Sequence, residues 1–232
     1  MKSQLVKRSY QVCVIAAFLF AFSLLSAPAT FTSDLSDLIA QGDKCFQADD
    51  YAKAIEYYEK AVELDPSNYI ALLNLGFSLA ELERYDESLK CYKKAKEAGA
   101  PFKEGFILTG KAKEFYDKGI NFIKAKNYQE AIKSFENAIK EDPSNVMAIN
   151  NIGWIYKNIN GDNKKAEEKF KEAIKKNPLF SVAYNSLGKL YYDNKSPQKC
   201  ILFYSAELEM GISDPVRRTK VENRIIEMKN LR

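Results

Sequence analysis

Residues Tyr51–Asn68 read YAKAIEYYEKAVELDPSN, and residues Tyr128–Asn145 read YQEAIKSFENAIKEDPSN. The two stretches lie 77 residues apart and share a leading Tyr, an Ala-Ile pair, an aromatic (Tyr58, Phe135) and a closing Asp-Pro-Ser-Asn. In the first copy Ala54, Tyr58 and Ala61 stand at i, i+4 and i+7, one face of a helix. Asp65-Pro66 ends that helix, because a residue before proline is pushed away from helical angles. Upstream of each such helix is a second apolar pattern with a glycine inside it. These glycines, Gly42, Gly76, Gly119, Gly153 and Gly188, are spaced by 34, 43, 34 and 35 residues. The period is therefore 34, with one insertion of nine residues and one of a single residue. A glycine inside a helix costs about 1 kcal/mol against alanine. Five in register imply close approach of a partner helix.

Self-similarity at this scale means a repeat array. The pattern resembles the tetratricopeptide repeat, W-x2-L-G-x2-Y, then A-x3-F, then P. The repeats read Leu38-x2-Gln41-Gly42-x2-Cys45 with Ala54-x3-Tyr58, and Leu72-x2-Leu75-Gly76-x2-Leu79 with Ser88-x3-Tyr92. Three more follow: Phe115-x2-Lys118-Gly119-x2-Phe122, Ile149-x2-Ile152-Gly153-x2-Tyr156 and Tyr184-x2-Leu187-Gly188-x2-Tyr191. The resemblance implies an all-α, right-handed α-solenoid of tandem helix-turn-helix repeats. It places repeats 1–2 at 35–102, an insertion at 103–111, repeats 3–5 at 112–213 and a capping helix at 214–232.

The N-terminal segment has a different character. Lys2, Lys7 and Arg8 precede an uncharged apolar run, Val12 to Leu25, and Ala27-Pro28-Ala29 is a small-x-small cleavage pattern. That is the layout of a secretory signal peptide over residues 1–29. The alternative is an uncleaved membrane anchor over residues 10–31. The expected location is accordingly exported, periplasmic or secreted, or else membrane-anchored. Of 35 basic residues, three belong to this segment, leaving 32 against 31 acidic ones. The remaining chain is near neutral, which gives no reason to expect nucleic acid as a partner. Ser33 and Asp34 are expected to cap the first helix. Cys45 and Cys200 fall at inward positions and read as buried small hydrophobes.

The insertion carries Phe106, Ile107 and Leu108. It predicts extra helix or an elbow dividing the array into two plus three repeats, or else a length variation absorbed at the surface. Asn160-Gly161-Asp162-Asn163 reads as the turn of repeat 4, holding its extra residue. Asp214-Pro215 predicts a helix start. The helix that follows mixes apolar and basic residues, and reads as a solenoid cap or as a basic helix reaching anionic lipid.

Catalytic chemistry finds little support. There is no histidine, which removes the most used general base and the commonest metal ligand. No glycine-rich loop precedes a helix to hold phosphate. The expectation is a non-enzyme without cofactors or metal.

Solenoids bind partners along an extended concave surface. Carried over from the family, the groove places are Leu73, Asn74 and Phe77 in repeat 2, and Tyr116, Ile120 and Lys124 in repeat 3. Repeat 4 supplies Asn150, Asn151, Trp154 and Lys157, and repeat 5 supplies Asn185, Lys189 and Tyr192. Amides can donate to and accept from a peptide backbone, and aromatic rings supply anchoring area. The expected partner is a protein or extended peptide, with the membrane involved only through an uncleaved N-terminal segment. A structural scaffold or complex-assembly factor is the alternative role. The family's clamp for acidic chaperone tails is incomplete: repeat 1 has Ile39 and Asp43, repeat 2 has Asn74, and repeat 3 has Lys113 and Asp117. No selective binding of such tails is expected.

Overall fold

The computed structural model describes residues 28–231 except Glu104 and Ser213. Nearly all of residues 1–29, read above as a signal peptide or anchor, lies outside the described residues. Among the described residues no helix is long and apolar enough to cross a membrane. The chain is an all-α solenoid of helical hairpins. The first helix of each repeat pairs with the second: α1 (Pro28–Gln47) with α2 (Tyr51–Leu64), α3 (Tyr69–Glu81) with α4 (Tyr85–Glu97), and α5 (Gly110–Lys124) with α6 (Tyr128–Glu141). Then come α7 (Val146–Ile155) with α8 (Asn163–Lys176), and α9 (Ser181–Asp193) with α10 (Pro197–Met210). Helix α11 (Pro215–Lys229) covers α10.

Short polar side chains start most of these helices. Asp50, Asn68, Asn127, Asn145 and Asp162 each accept a bond from the backbone N–H three residues on, and Asp214 does so for Val216. Such caps satisfy donors that a helix start leaves orphaned. The first helix departs from expectation. It opens at Pro28, so Ser33 and Asp34 lie inside it instead of capping it. Proline is well placed as a first helical residue, where its missing N–H costs nothing, and no breaker intervenes before Gln47. The extra residue of repeat 4 is also placed differently. It is absorbed by a π-helical turn, Tyr156–Asn160, that ends α7, and only then does Gly161 turn at φ 67°.

The five repeat glycines, Gly42, Gly76, Gly119, Gly153 and Gly188, each face a ring of their own hairpin's second helix. At Gly188 an added Cβ would stand 2.5 Å from Cδ1 of Tyr204, a ring with no solvent exposure whose hydroxyl is held by Arg224. Gly188→Ala is therefore expected to destabilise the protein by about 1–3 kcal/mol through overpacking, despite the gain in helix propensity. Urea denaturation checks this, and a stabilised variant would contradict it.

The order of stacking is not the order of the sequence. Repeat 2 leans on repeat 1, and repeats 3, 4 and 5 follow one another. Helix α4, however, packs along α10 of repeat 5, and no substantial packing joins it to α5 among the described residues. The insertion produces this. Among its described residues it forms no helix before Gly110. Instead Lys103 pairs with the turn between repeats 4 and 5, donating its N–H to Leu179 O at 2.9 Å and accepting from Ser181 N at 3.0 Å. Repeats 1–2 thus fold back on repeats 4–5. Tyr92 meets Tyr184 edge-on, with ring centroids 5.5 Å apart. One apolar core runs through repeats 1, 2, 4, 5 and α11, while Ala131, Phe135 and Ala138 of repeat 3 form a smaller cluster with α7.

Candidate functional site

Fold-back leaves one continuous face of first helices, built by α5, α7 and α9 and continued by α11. Asn151 Nδ2 on α7 donates to Tyr116 OH on α5 at 3.1 Å. Burial pushes the Tyr116 phenol up, against the pull of that bond. Lys157, from the π-turn after α7, forms an ion pair with Asp193 at the end of α9. Asn185 Nδ2 donates to Glu207 at 2.7 Å, and Arg217 holds the same carboxylate from α11. Tyr192 donates to Glu227 of α11, while the Arg224 guanidinium lies 4.8 Å from the Tyr192 ring centroid. Polar side chains therefore stitch α5 to α7, α7 to α9, and α9 to α11.

Trp154 stands in the middle of this face and is 38% exposed. Its neighbour Asn150 is almost fully buried, with Oδ1 lacking a protein hydrogen-bond partner. Tyr116 and Ile120 are half-buried and pack against the repeat 3 cluster. Lys189 is partly exposed, and burial followed by the proximity of Lys157 eases loss of its proton.

Asn74 and Phe77 are not on this face. Both lie in the fold-back unit. Phe77 has no exposure, and its ring centroid is 5.5 Å from that of Phe46 and 6.3 Å from that of Tyr51. Leu73 is buried as well. Asn74 donates to Asp43 at 3.2 Å, and Tyr58 OH donates to the same carboxylate at 2.6 Å. The one clamp-like amide is thus engaged by an internal carboxylate, where an acidic tail would meet like charge. Repeat 3 does not stack on its unit among the described residues. Sequence reading missed the contribution of α11. The signal was present as Lys220, Arg224 and Glu227 on successive turns, but the helix read as a cap or as a basic helix reaching anionic lipid.

Comparison with known proteins agrees with the architecture. A family model described as TPR repeat matches residues 42–82, and models described as tetratricopeptide repeat match 69–98, 112–145 and 160–215. The chain belongs to the tetratricopeptide-repeat family. Among curated relatives it is 33% identical over 105 residues to Protein STIP1 homolog of Dictyostelium discoideum, covering 45% of this chain and 17% of that protein. It is also 33% identical over 125 residues to Hsp70-Hsp90 organizing protein 3 of Arabidopsis thaliana, covering 51% and 22%. The matched segments therefore span less than a quarter of those relatives. Similar solved structures include the TPR2AB-domain:pHSP90 complex of yeast Sti1, at 15% identity, coverage of 85% and 99% and a TM-score of 0.47. MamA is another, at 23% identity, coverage of 77% and 92% and a TM-score of 0.39.

Proposed function

We propose that the chain is a non-catalytic protein-interaction module that binds an extended peptide or protein segment across α5, α7 and α9. The observation that carries this reading is Trp154, an exposed large aromatic in the middle of a face of amides. Rings in such positions dominate binding energy, and Asn151 and Asn185 offer donors and acceptors to a peptide backbone. Relatives named for organizing Hsp70 and Hsp90 support a role in protein association. The N-terminal layout of basic, apolar and small-x-small residues supports work outside the cytosol.

The test is a pull-down from the native cell envelope with wild type and a Trp154→Ala/Asn151→Ala variant of equal helicity. We expect a partner held by wild type and lost by the variant, with at least a tenfold drop in capture, as for a hot spot of about 2 kcal/mol. Equal capture would move the interface off this face.

A membrane-tethered scaffold is a second reading, favoured by one observation. Helix α1 opens at Pro28, so Pro28 and Ala29 of the cleavage pattern form its first turn. N-terminal sequencing of the exported protein separates the two, because a mature start near Thr30 removes the tether.

A further inference from the structure

We propose that the outer side of α11 is a self-association surface, which pairs antiparallel with α11 of a second copy of this chain. The helix buries Val221, Ile225 and Met228 against α10. Its opposite side carries Val216, Thr219, Asn223, Ile226 and Asn230, all exposed. These five follow one another at steps of three, four, three and four residues, the spacing of a coiled-coil seam. A terminal cap keeps a solenoid soluble by turning a polar face outward. Here Val216 is 76% exposed and Ile226 57%, so this cap leaves apolar surface uncovered.

The flanking charges name the occupant. Lys220 and Glu227 border the stripe on one side, Glu222 and Lys229 on the other. In an antiparallel pair each border meets the same border of the second copy. Setting Asn223 beside Ile226 of the second copy, and Thr219 beside its Asn230, brings Lys220 to Glu227 and Glu222 to Lys229. The two-fold axis repeats both contacts, so every flanking pair is of opposite charge. A parallel pair would instead set Glu222 against Glu227, twice. Charge therefore selects the antiparallel arrangement. Glu222 and Lys229 are exposed and make no ion pair among the described residues, so both are available. Glu227 accepts from Tyr192, and a carboxylate has room for a second donor.

The stripe and the buried side lie on opposite sides of α11, so the two solenoids fall on opposite sides of the paired helices. The seam spans about four turns and is partly polar. Association is accordingly weak, with a Kd of about 10–100 μM. An anionic lipid surface fits less well, because Glu222 and Glu227 border the stripe on both sides. The inference does not depend on the peptide face, but it adds to it: a pair carries two such faces, and a partner with two binding segments would gain avidity.

Sedimentation equilibrium of the full chain at low salt, from about 5 to about 500 μM to bracket that range, tests the pairing. We expect a monomer–dimer equilibrium. Glu222→Lys faces Lys229 of the second copy and should weaken the dimer at least about tenfold, as like-charge contact does. Lys229→Glu faces Glu222 and should do the same. An equimolar mixture of these two variants restores opposite charges at every contact and should associate like wild type. Both changes are on the surface, and melting curves confirm that each variant is folded. A parallel pair gives the opposite sign, since Glu222→Lys would then meet Glu227 and tighten it. The proposal is overturned if wild type stays monomeric, if Glu222→Lys dimerises as well as wild type or better, or if the mixture does not associate. It is equally overturned if vesicles of anionic lipid capture the chain through Val216 and Ile226 while no dimer forms.

Discussion

Phe77→Ala is expected to lower the free energy of unfolding by about 3–5 kcal/mol, the range for emptying a buried phenylalanine site. Family register puts Phe77 at a groove place, where its loss would weaken binding and spare stability. The structure gives it the opposite role. The ring has no exposure and meets Phe46 at an interplanar angle of 80°. Edge-to-face pairs add about 0.5–1.5 kcal/mol beyond burial. The cluster is closed from outside by repeat 4, whose Lys175 amine lies 5.8 Å from the Phe46 ring centroid and 5.4 Å from that of Tyr51. Relaxation into the cavity is thus limited on both sides. Urea denaturation followed by circular dichroism measures the effect. A loss below about 1 kcal/mol would mean that the ring is not enclosed in solution.

The contrast shows which parts of this molecule a sequence can carry. The period, the hairpins and their caps are local. Asn68 caps α3 through a residue three places away, and Gly119 admits Phe135 of its own hairpin, so both are written within one repeat. Trp154, assigned to the groove, is 38% exposed, whereas Asn150, assigned to it on the same helix, is 7% exposed. The fold-back was not legible. Tyr92 occupies the aromatic place of repeat 2 whichever repeat covers it, and here the cover is Tyr184, 92 residues on. Nor does a backbone pairing such as Lys103 with Leu179 and Ser181 need particular side chains. Nine inserted residues could be seen, but not where they lead. The misplacement of Asn74 and Phe77 follows directly. They were assigned to one long groove, and the chain divides that groove after repeat 2.

Lys171→Glu tests that division. Its amine on α8 bridges Glu81 of α3 at 2.7 Å and Glu167 of its own helix at 2.9 Å. The Lys171 and Glu81 side chains are only 21% and 15% exposed, so screening by water is weak. Burial draws the Lys171 pKa down, yet Glu81 and Glu167 outweigh it and hold it above its usual value. Burial likewise raises Glu167, but Lys171 and the Tyr191 hydroxyl keep its carboxyl below the ordinary range. Reversing the charge sets three carboxylates together at the seam between repeats 2 and 4. Breaking a fully buried pair costs about 3–5 kcal/mol, because a charge is left uncompensated, and the loss at this part-buried pair is expected to be smaller, since water reaches both side chains. The surface pair of Lys175 with Asp49, whose side chain is 65% exposed, should matter far less. Two readouts separate a merely weakened protein from an opened one. Denaturation should show the loss of stability, and small-angle scattering should show a larger radius of gyration if repeats 1–2 swing away from repeats 4–5. Adding Glu81→Lys should recover part of both, since coupled charges are not additive. A variant with unchanged stability and radius would mean that the two ends of the array do not meet.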